Sequence, residues 1–336
     1  MKRTLALALA TVLTLGTAAC SSDVADKSDA KDSSKVPDGP WEFTDGSGEV
    51  VELDKTPTRI IAHAAEAAAL MAYGIKPVGI YADEPVTTDP NLKDLDLTGI
   101  AILGEEWGSI DVAKASTLSP DLIVADWWPA EKAHSGFEDG VKAKSKKLAE
   151  LAPVVGAAQG DSILDLAEGY EDLAESLGAD IENSQGSKDK AAFEKSRDAF
   201  IAAMKDKDFT ALAVSPASDL LYVANPEFAP ELLDFDRWGL DIIEPDSPDK
   251  GFPYWENLSW EKADKYQPDV LMFDSRSFIA DQKTVKDQPT WSSIRAAKAG
   301  QVVEWPGFWL HTYGHYAVAL DKLTEELSGL DDSIGD

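Results

Sequence analysis

The chain has 336 residues, 44% of them apolar and 9% aromatic, with 61 acidic against 31 basic side chains and a formal net charge of −30. That length accommodates two domains with separate cores, and the sign of the charge excludes the basic face that nucleic-acid phosphates require. The acidity itself reads as solubility and mutual repulsion outside the cell.

Lys2-Arg3, the apolar run Leu5–Leu15 and the small residues before Cys20 have the order of a secretory leader, 1–20,. The run is short for a transmembrane helix. Cys20 is the only cysteine, so the exported chain has no internal disulfide to form,. The pattern resembles the bacterial lipoprotein signal, which implies lipidation of Cys20 and, with two or more acyl chains, a stable membrane anchor. Residues 21–40 alternate Ser, Asp, Lys, Ala and Gly with little apolar content, which predicts a flexible tether.

Trp41–Leu53 reads as a hairpin around Gly46-Ser47-Gly48. Arg59–Asp83 then reads as strand, helix, strand: Ile60-Ile61-Ala62, an Ala/Leu/Met segment led by Glu66 and stopped at Gly74, and Val78–Tyr81 after Pro77,. That is a parallel βαβ unit, and in such sheets the loops at the strands' carboxyl ends line the ligand crevice. His63–Glu66 and Tyr81–Glu84 are therefore the first places to look for a site. Ala101–Gly104 predicts a strand, Ile110–Ser116 a helix, Asp121–Asp126 a buried strand running into Trp127-Trp128, Lys142–Leu151 a helix and Val154-Val155 a strand.

The alternation then stops. Asp161–Leu177 and Lys188–Met204 predict two helices with no strand between, the second amphipathic and long enough to cross between lobes,. The α/β theme resumes with strands at Phe209–Val214, Leu220–Ala224 and Leu240–Ile243 and helices at Pro230–Phe235 and Ser259–Tyr266. A strand at Gln267–Asp274, a helix at Thr290–Ala297, a strand at Gln301–Trp305 and a last helix at Tyr316–Leu330 complete it. Ser119-Pro120-Asp121-Leu122-Ile123 and Gln267-Pro268-Asp269-Val270-Leu271 each place a Pro-Asp turn before an apolar strand, the mark of two similarly built lobes.

No Gly-rich phosphate loop, nucleophile elbow or Cys/His arrangement with metal spacing occurs,, so a binder is favoured over an extracytoplasmic enzyme. Glu105-Glu106 reads as solvated charge. His311 and His315 have a spacing that can bind zinc on a helix, but Thr312 and Gly314 weaken the helix there,. Trp260 and Trp291 fall within helical patterns and read as core, Arg237 as a helix-end dipole partner.

Five phrases in order, PTRIIA, LSPDLIVAD, NLSWEKADKYQPDVLMFD, PTWSSIRAAKAGQVVEW and HTYGHYAVALDKLTEEL, make the chain over about 41–330 similar to the substrate-binding lipoproteins of ABC importers, in the class with one long helix between lobes. Within that class it most resembles the receptors for ferric siderophores, with vitamin B12 and haem receptors as the alternative. The resemblance implies two three-layer α/β/α lobes, N-terminal 41–185 and C-terminal 207–336, joined by a helix at 186–206. It implies a monomer with no intrinsic cofactor, carrying ferric iron as a siderophore complex to an ABC permease.

A chelated iron asks the protein for aromatic faces and a few donors rather than metal ligands. The loops carry Trp107, Trp127, Trp128, Tyr254, Trp255, Arg276, Trp309 and Tyr313, with His63 and Tyr81 at the first two strand ends. Neighbours Trp127 and Trp128 face opposite ways on an extended chain, so at least one is expected to pack. Aromatics outnumber cations, which favours a neutral or positive ferric hydroxamate over an anionic catecholate. Family receptors present one Glu per lobe to the permease, and Glu66 and Glu231 fall on those places. At Glu66 the helix dipole also favours a carboxylate.

Overall fold

The computed structural model describes residues 39–276, 282–307, 310–331 and 333–334. The leader with Cys20, most of the tether and Trp309 lie outside the described residues. A hairpin of β1 (Trp41–Thr44) and β2 (Val50–Leu53) opens the body. The first lobe follows with β3 (Ile60–His63), α1 (Ala64–Ala72), β4 (Gly79–Ala82), β5 (Ala101–Glu105), α2 (Val112–Thr117), β6 (Leu122–Val124), β7 (Trp127–Trp128), β8 (Ala133–His134), α3 (Ala143–Lys146) and β9 (Val154–Val155). Two helices come next, α4 (Ile163–Ser176) and α5 (Gln185–Met204). The second lobe holds β10 (Thr210–Pro216), β11 (Leu220–Ala224), α6 (Pro230–Arg237), β12 (Asp241–Ile242), β13 (Trp255–Ser259), β14 (Val270–Asp274), α7 (Gln282–Val285), α8 (Arg295–Ala299), β15 (Val302–Trp305) and α9 (Tyr313–Ser328).

The first sheet has the order β5-β4-β3-β6-β9 and is parallel throughout. Its strands are short apolar runs because both faces are covered. Ile60, Ala62, Ile80 and Val124 belong to one core cluster, and Ile61, Tyr81, Leu103 and Ile123 to another on the opposite face, as the two-residue period of a strand requires. Helix α1 starts directly at the carboxyl end of β3. It stops where Tyr73 and Gly74 bond back to Leu70 and Met71, with Gly74 at φ +84°, a conformation that costs glycine no Cβ clash.

The second sheet runs β13-β11-β10-β14-β15, with β12 also beside β10. Strands β10, β12, β14 and β15 are parallel, whereas β11 and β13 are antiparallel additions. The sheet again separates two clusters: Ala211, Ala213, Val270 and Met272 face one way, Leu212, Val214, Leu271 and Phe273 the other. Each lobe is therefore a three-layer α/β unit. Strand β13 has no counterpart in the sequence reading, because Trp255–Ser259 follows Pro253 and becomes a strand only through pairing with β11, Ala224 opposite Trp255. The predicted helix at Ser259–Tyr266 is a single 3-10 turn, Trp260–Lys262.

Helix α5 has 20 residues, about 30 Å at 1.5 Å per residue. At its start a Cβ on Gly186 would lie 2.3 Å from the Tyr73 ring of the first lobe. Further along, Phe193, Phe200 and Met204 enter the core of the second lobe. Helix α4 is shared in the same way, with Leu166, Tyr170 and Leu173 in the first core and Ile163 and Ala167 in the second. Its first turn is fastened to α6 by Asp234, which accepts from Ser162 Oγ at 2.8 Å and from the Ile163 amide at 2.9 Å. Arg237, at the end of α6, donates to the Asp161 carbonyl at 2.6 Å and to Asp234 at 3.1 Å. No helix among the described residues is long and apolar enough to cross a membrane.

Candidate ligand cleft

The carboxyl ends of β4, β5, β10 and β14, the β7–β8 hairpin with the loop after it, and strands β11 and β13 line a cleft of about 850 Å³ from both lobes. Trp107, after β5, is 47% exposed and its indole donates to Glu138 Oε1 at 2.9 Å. Trp128, half-buried in the β7–β8 hairpin, donates to Ser135 Oγ at 2.8 Å and meets Tyr254 edge-on with ring centroids 5.8 Å apart. Tyr254 and Trp255 bring the facing wall from the start of β13, and Arg276 follows β14. The Arg276 guanidinium lies 5.8 Å from the Trp255 ring and is held by Asp274, with Nε 2.9 Å from both carboxylate oxygens. These five expected contacts share the cleft.

The other expected contacts are placed elsewhere. Trp127 is opposite His134 in the β7–β8 hairpin, rings 5.0 Å apart, and packs rather than lines. Tyr313 is 3% exposed, against Phe193 and beneath the Lys190 ammonium. Tyr81 lies one layer down: its hydroxyl donates to the Ser135 carbonyl at 2.8 Å, and Gly136 covers its ring so closely that a Cβ there would come within 2.8 Å. His63, 4% exposed, is also one layer down and reaches the cleft only through Asp83.

The surface role expected of Glu66 and Glu231 is corrected by their burial, since both are 0% exposed. Each sits at a helix start that faces the interior. Glu66 accepts from the Asp126 amide at 2.7 Å and pairs with His63 Nδ1 at 2.8 Å. Glu231 accepts from the Trp305 indole at 3.0 Å. Neither can meet an external arginine while these contacts stand.

Beneath the cleft the two lobes are joined by polar groups. Asp126, 1% exposed, accepts from the Tyr170 hydroxyl, from Gln159 Nε2 at 2.6 Å and from His311 Nε2 of the second lobe. Burial alone would lower the His63 pKa; the charges of Glu66 and Asp83 and the bonds to both outweigh it and hold the imidazole well above its usual value,. Burial likewise works against His311, whose pKa is raised by the charge and bond of Asp126 and by Glu66. For Glu66, burial pushes upward, but His63, His311 and the Asp126 amide bring it down to about 2. Ligand atoms of Glu66, Asp126 and His311 lie within 4.8 Å of one another, a grouping that could hold a metal ion. Carboxylate–imidazole and carboxylate–amide bonds already engage all three. His311 precedes the N-cap Thr312 of α9, so it does not share a helical face with His315.

Five acids line the cleft, Asp83, Glu106, Glu131, Glu138 and Asp139; the sequence reading had Asp83 within the Tyr81–Glu84 strand end and Glu106 as solvated charge, and it missed the other three. Glu131 falls in the β7–β8 turn and Glu138 and Asp139 in the loop before α3, where isolated acids have the look of solvated charge. Their one local signal is proximity in sequence to Trp128.

Two α/β lobes on a shared long helix, with an aromatic cleft between them and a buried polar joint below, define a two-lobed ligand-binding protein. The chain belongs to the periplasmic binding protein family, whose profile matches residues 61–307. Among solved structures it is similar to DesE, a ferric-siderophore receptor protein from Streptomyces coelicolor, at 32% identity and a TM-score of 0.76, over 87% of this chain and 99% of that one. The siderophore periplasmic binding protein from the fuscachelin gene cluster of Thermobifida fusca shares the fold at 22% identity and a TM-score of 0.57, over 82% and 97%. So does FhuD2 from Staphylococcus aureus with bound ferrioxamine B, at 18% identity and a TM-score of 0.55, over 80% and 98%. No curated protein matches the sequence.

Proposed function

We propose that the protein is an extracytoplasmic receptor, anchored by lipid on Cys20, that captures a ferric siderophore of the hydroxamate class and delivers it as a monomer to an ABC permease. Iron is the cargo, already chelated by the ligand, and no bond is made or broken. The likeness to DesE supports the ferric-siderophore class.

The observation that carries the hydroxamate reading is the charge of the cleft. Among the described residues, five carboxylates line it against one guanidinium, Arg276, which Asp274 already engages. A ferric tris-catecholate, with about three negative charges, would be repelled there, whereas a neutral or positive tris-hydroxamate meets aromatic faces and favourable charge. Nanomolar capture needs roughly 12 kcal/mol, within reach of stacked rings and charge-assisted bonds in a preformed cleft.

Trp107, Trp128 and Trp255 are in the cleft, so intrinsic fluorescence reports binding. Titration with ferrichrome, ferrioxamine B, ferric enterobactin, haem and cobalamin should give tight quenching with the first two. Tight binding confined to enterobactin, haem or cobalamin overturns the reading. Anchoring is read separately: Cys20→Ala should move the protein from the membrane fraction to the soluble one.

A further inference from the structure

We propose that the cleft contains a subsite for a primary ammonium group carried by the bound ferric complex, formed by Glu131 and Glu138 together with the rings of Trp107, Trp128 and Tyr254. The proposal rests on the ferric-siderophore reading and specifies which complexes the cleft prefers.

The acids of the wall are not equivalent. Glu106 lies 3.8 Å from Lys142 and Asp139 4.0 Å from Lys146, and Asp83 faces His63 at 3.2 Å. Glu131 and Glu138 have no such cation among the described residues. Glu138 uses Oε1 to accept from the Trp107 indole, while its Oε2 is buried without a hydrogen-bond partner. A buried carboxylate oxygen left without a donor is unfavourable, and Glu138 is one of the residues that line the cleft. Partial burial, with the charges of Glu138 and Asp139, raises the Glu131 pKa, and the nearby Tyr254 only partly opposes this. An entering cation relieves both conditions.

The surroundings select an ammonium over a bare metal ion or a second guanidinium-like plane. Trp107, Trp128 and Tyr254 present ring faces and edges beside these two carboxylates. A compact –NH₃⁺ on an alkyl stem satisfies both, with three N–H donors for the oxygens and a cation–π contact for the rings. Arg276, on the other side of the cleft, is tied to Asp274 and leaves the cleft's field negative.

The test compares two probes with one iron core. Ferrioxamine B bears a terminal ammonium, and its N-acetylated derivative is neutral at that end. The full chain should bind the ammonium form about tenfold more tightly at low ionic strength, with the preference shrinking as salt rises. Glu138→Gln, which preserves an acceptor for Trp107, and Glu131→Gln should each bring the ratio of the two dissociation constants toward one. Equal affinities in the unsubstituted protein overturn the subsite while leaving the hydroxamate receptor intact. Failure of both probes while ferrichrome binds tightly overturns the subsite alone; failure of ferrichrome as well refutes the receptor reading and the subsite with it.

Discussion

Asp126→Ala tests the buried joint between the lobes most directly. The carboxylate is 1% exposed and is the shared acceptor for Tyr170, Gln159 and His311. His311, 4% exposed and with its pKa raised by this neighbour, would keep only Glu66 as a nearby carboxylate. Removing one member of a buried ion pair costs about 3–5 kcal/mol, and stranded buried donors such as the Tyr170 hydroxyl add about 1–3 kcal/mol each where water cannot reach them. A loss of roughly 4 kcal/mol would be a large share of the usual 5–15 kcal/mol. Urea unfolding followed by circular dichroism measures it, and a double-mutant cycle with His311→Ala isolates the cross-lobe pair. Contacting groups in one network couple by about 0.5–3 kcal/mol; the upper half of that range is expected. A single-substitution loss below about 1 kcal/mol, or coupling within error of zero, would show that the joint does not hold the lobes.

The same network sets a pH dependence. His63 and His311 have folded-state pKa values above the usual 6.5, so their contribution is complete below about pH 6.5 and is lost as pH rises through the raised values,. Glu66, depressed from 4.5 to about 2, contributes above about pH 4.5 and loses that as pH falls toward 2,. Unfolding free energy measured from weakly acid to alkaline pH should therefore fall on the alkaline side, and His63→Gln should flatten that limb; a rise there counts against the assignment. Trp107→Ala should change stability by less than about 0.5 kcal/mol, because the ring is 47% exposed, yet weaken ferric-hydroxamate binding severalfold in a fluorescence titration. Trp305→Ala, at 0% exposure and bonded to Glu231, should cost about 3–5 kcal/mol in stability. Gly156→Ala places a Cβ 1.9 Å from the Ala125 carbonyl oxygen, so β9 must move away from β6; an unchanged melting temperature would contradict that contact.

What could be read from the chain was local. The βαβ unit of β3, α1 and β4 shows itself through apolar runs of strand length, Gly74 and Pro77, because each signal acts within a few residues. Helix α5 is legible for the same reason, with Phe193, Phe200 and Met204 on one face. Strand β13 is not, since its evidence is a partner about thirty residues earlier, β11, and strand preference depends on such context. The loop aromatics divide likewise. Trp127 and Trp128 had to part, but which one enters the cleft is decided by the β7–β8 hairpin, which pairs Trp127 with His134.

Glu66 shows why the site was harder than the fold. A carboxylate in the first turn of a helix satisfies the dipole whether it faces water or protein, so position alone leaves its direction open. Direction comes from His63, three residues back, and from the Asp126 amide, sixty residues on. Asp126 in turn is fixed by His311, 185 residues further along. Each of these groups would be unfavourable in the interior alone and is stable there only because the others are present. Such a network leaves no periodic trace. The acids of the cleft obey the opposite logic: Glu131 and Glu138 lack that internal compensation, and the charge left unbalanced faces the space a ligand would occupy. Burial with partners builds the joint, and the two acids left without a paired cation among the described residues line the cleft.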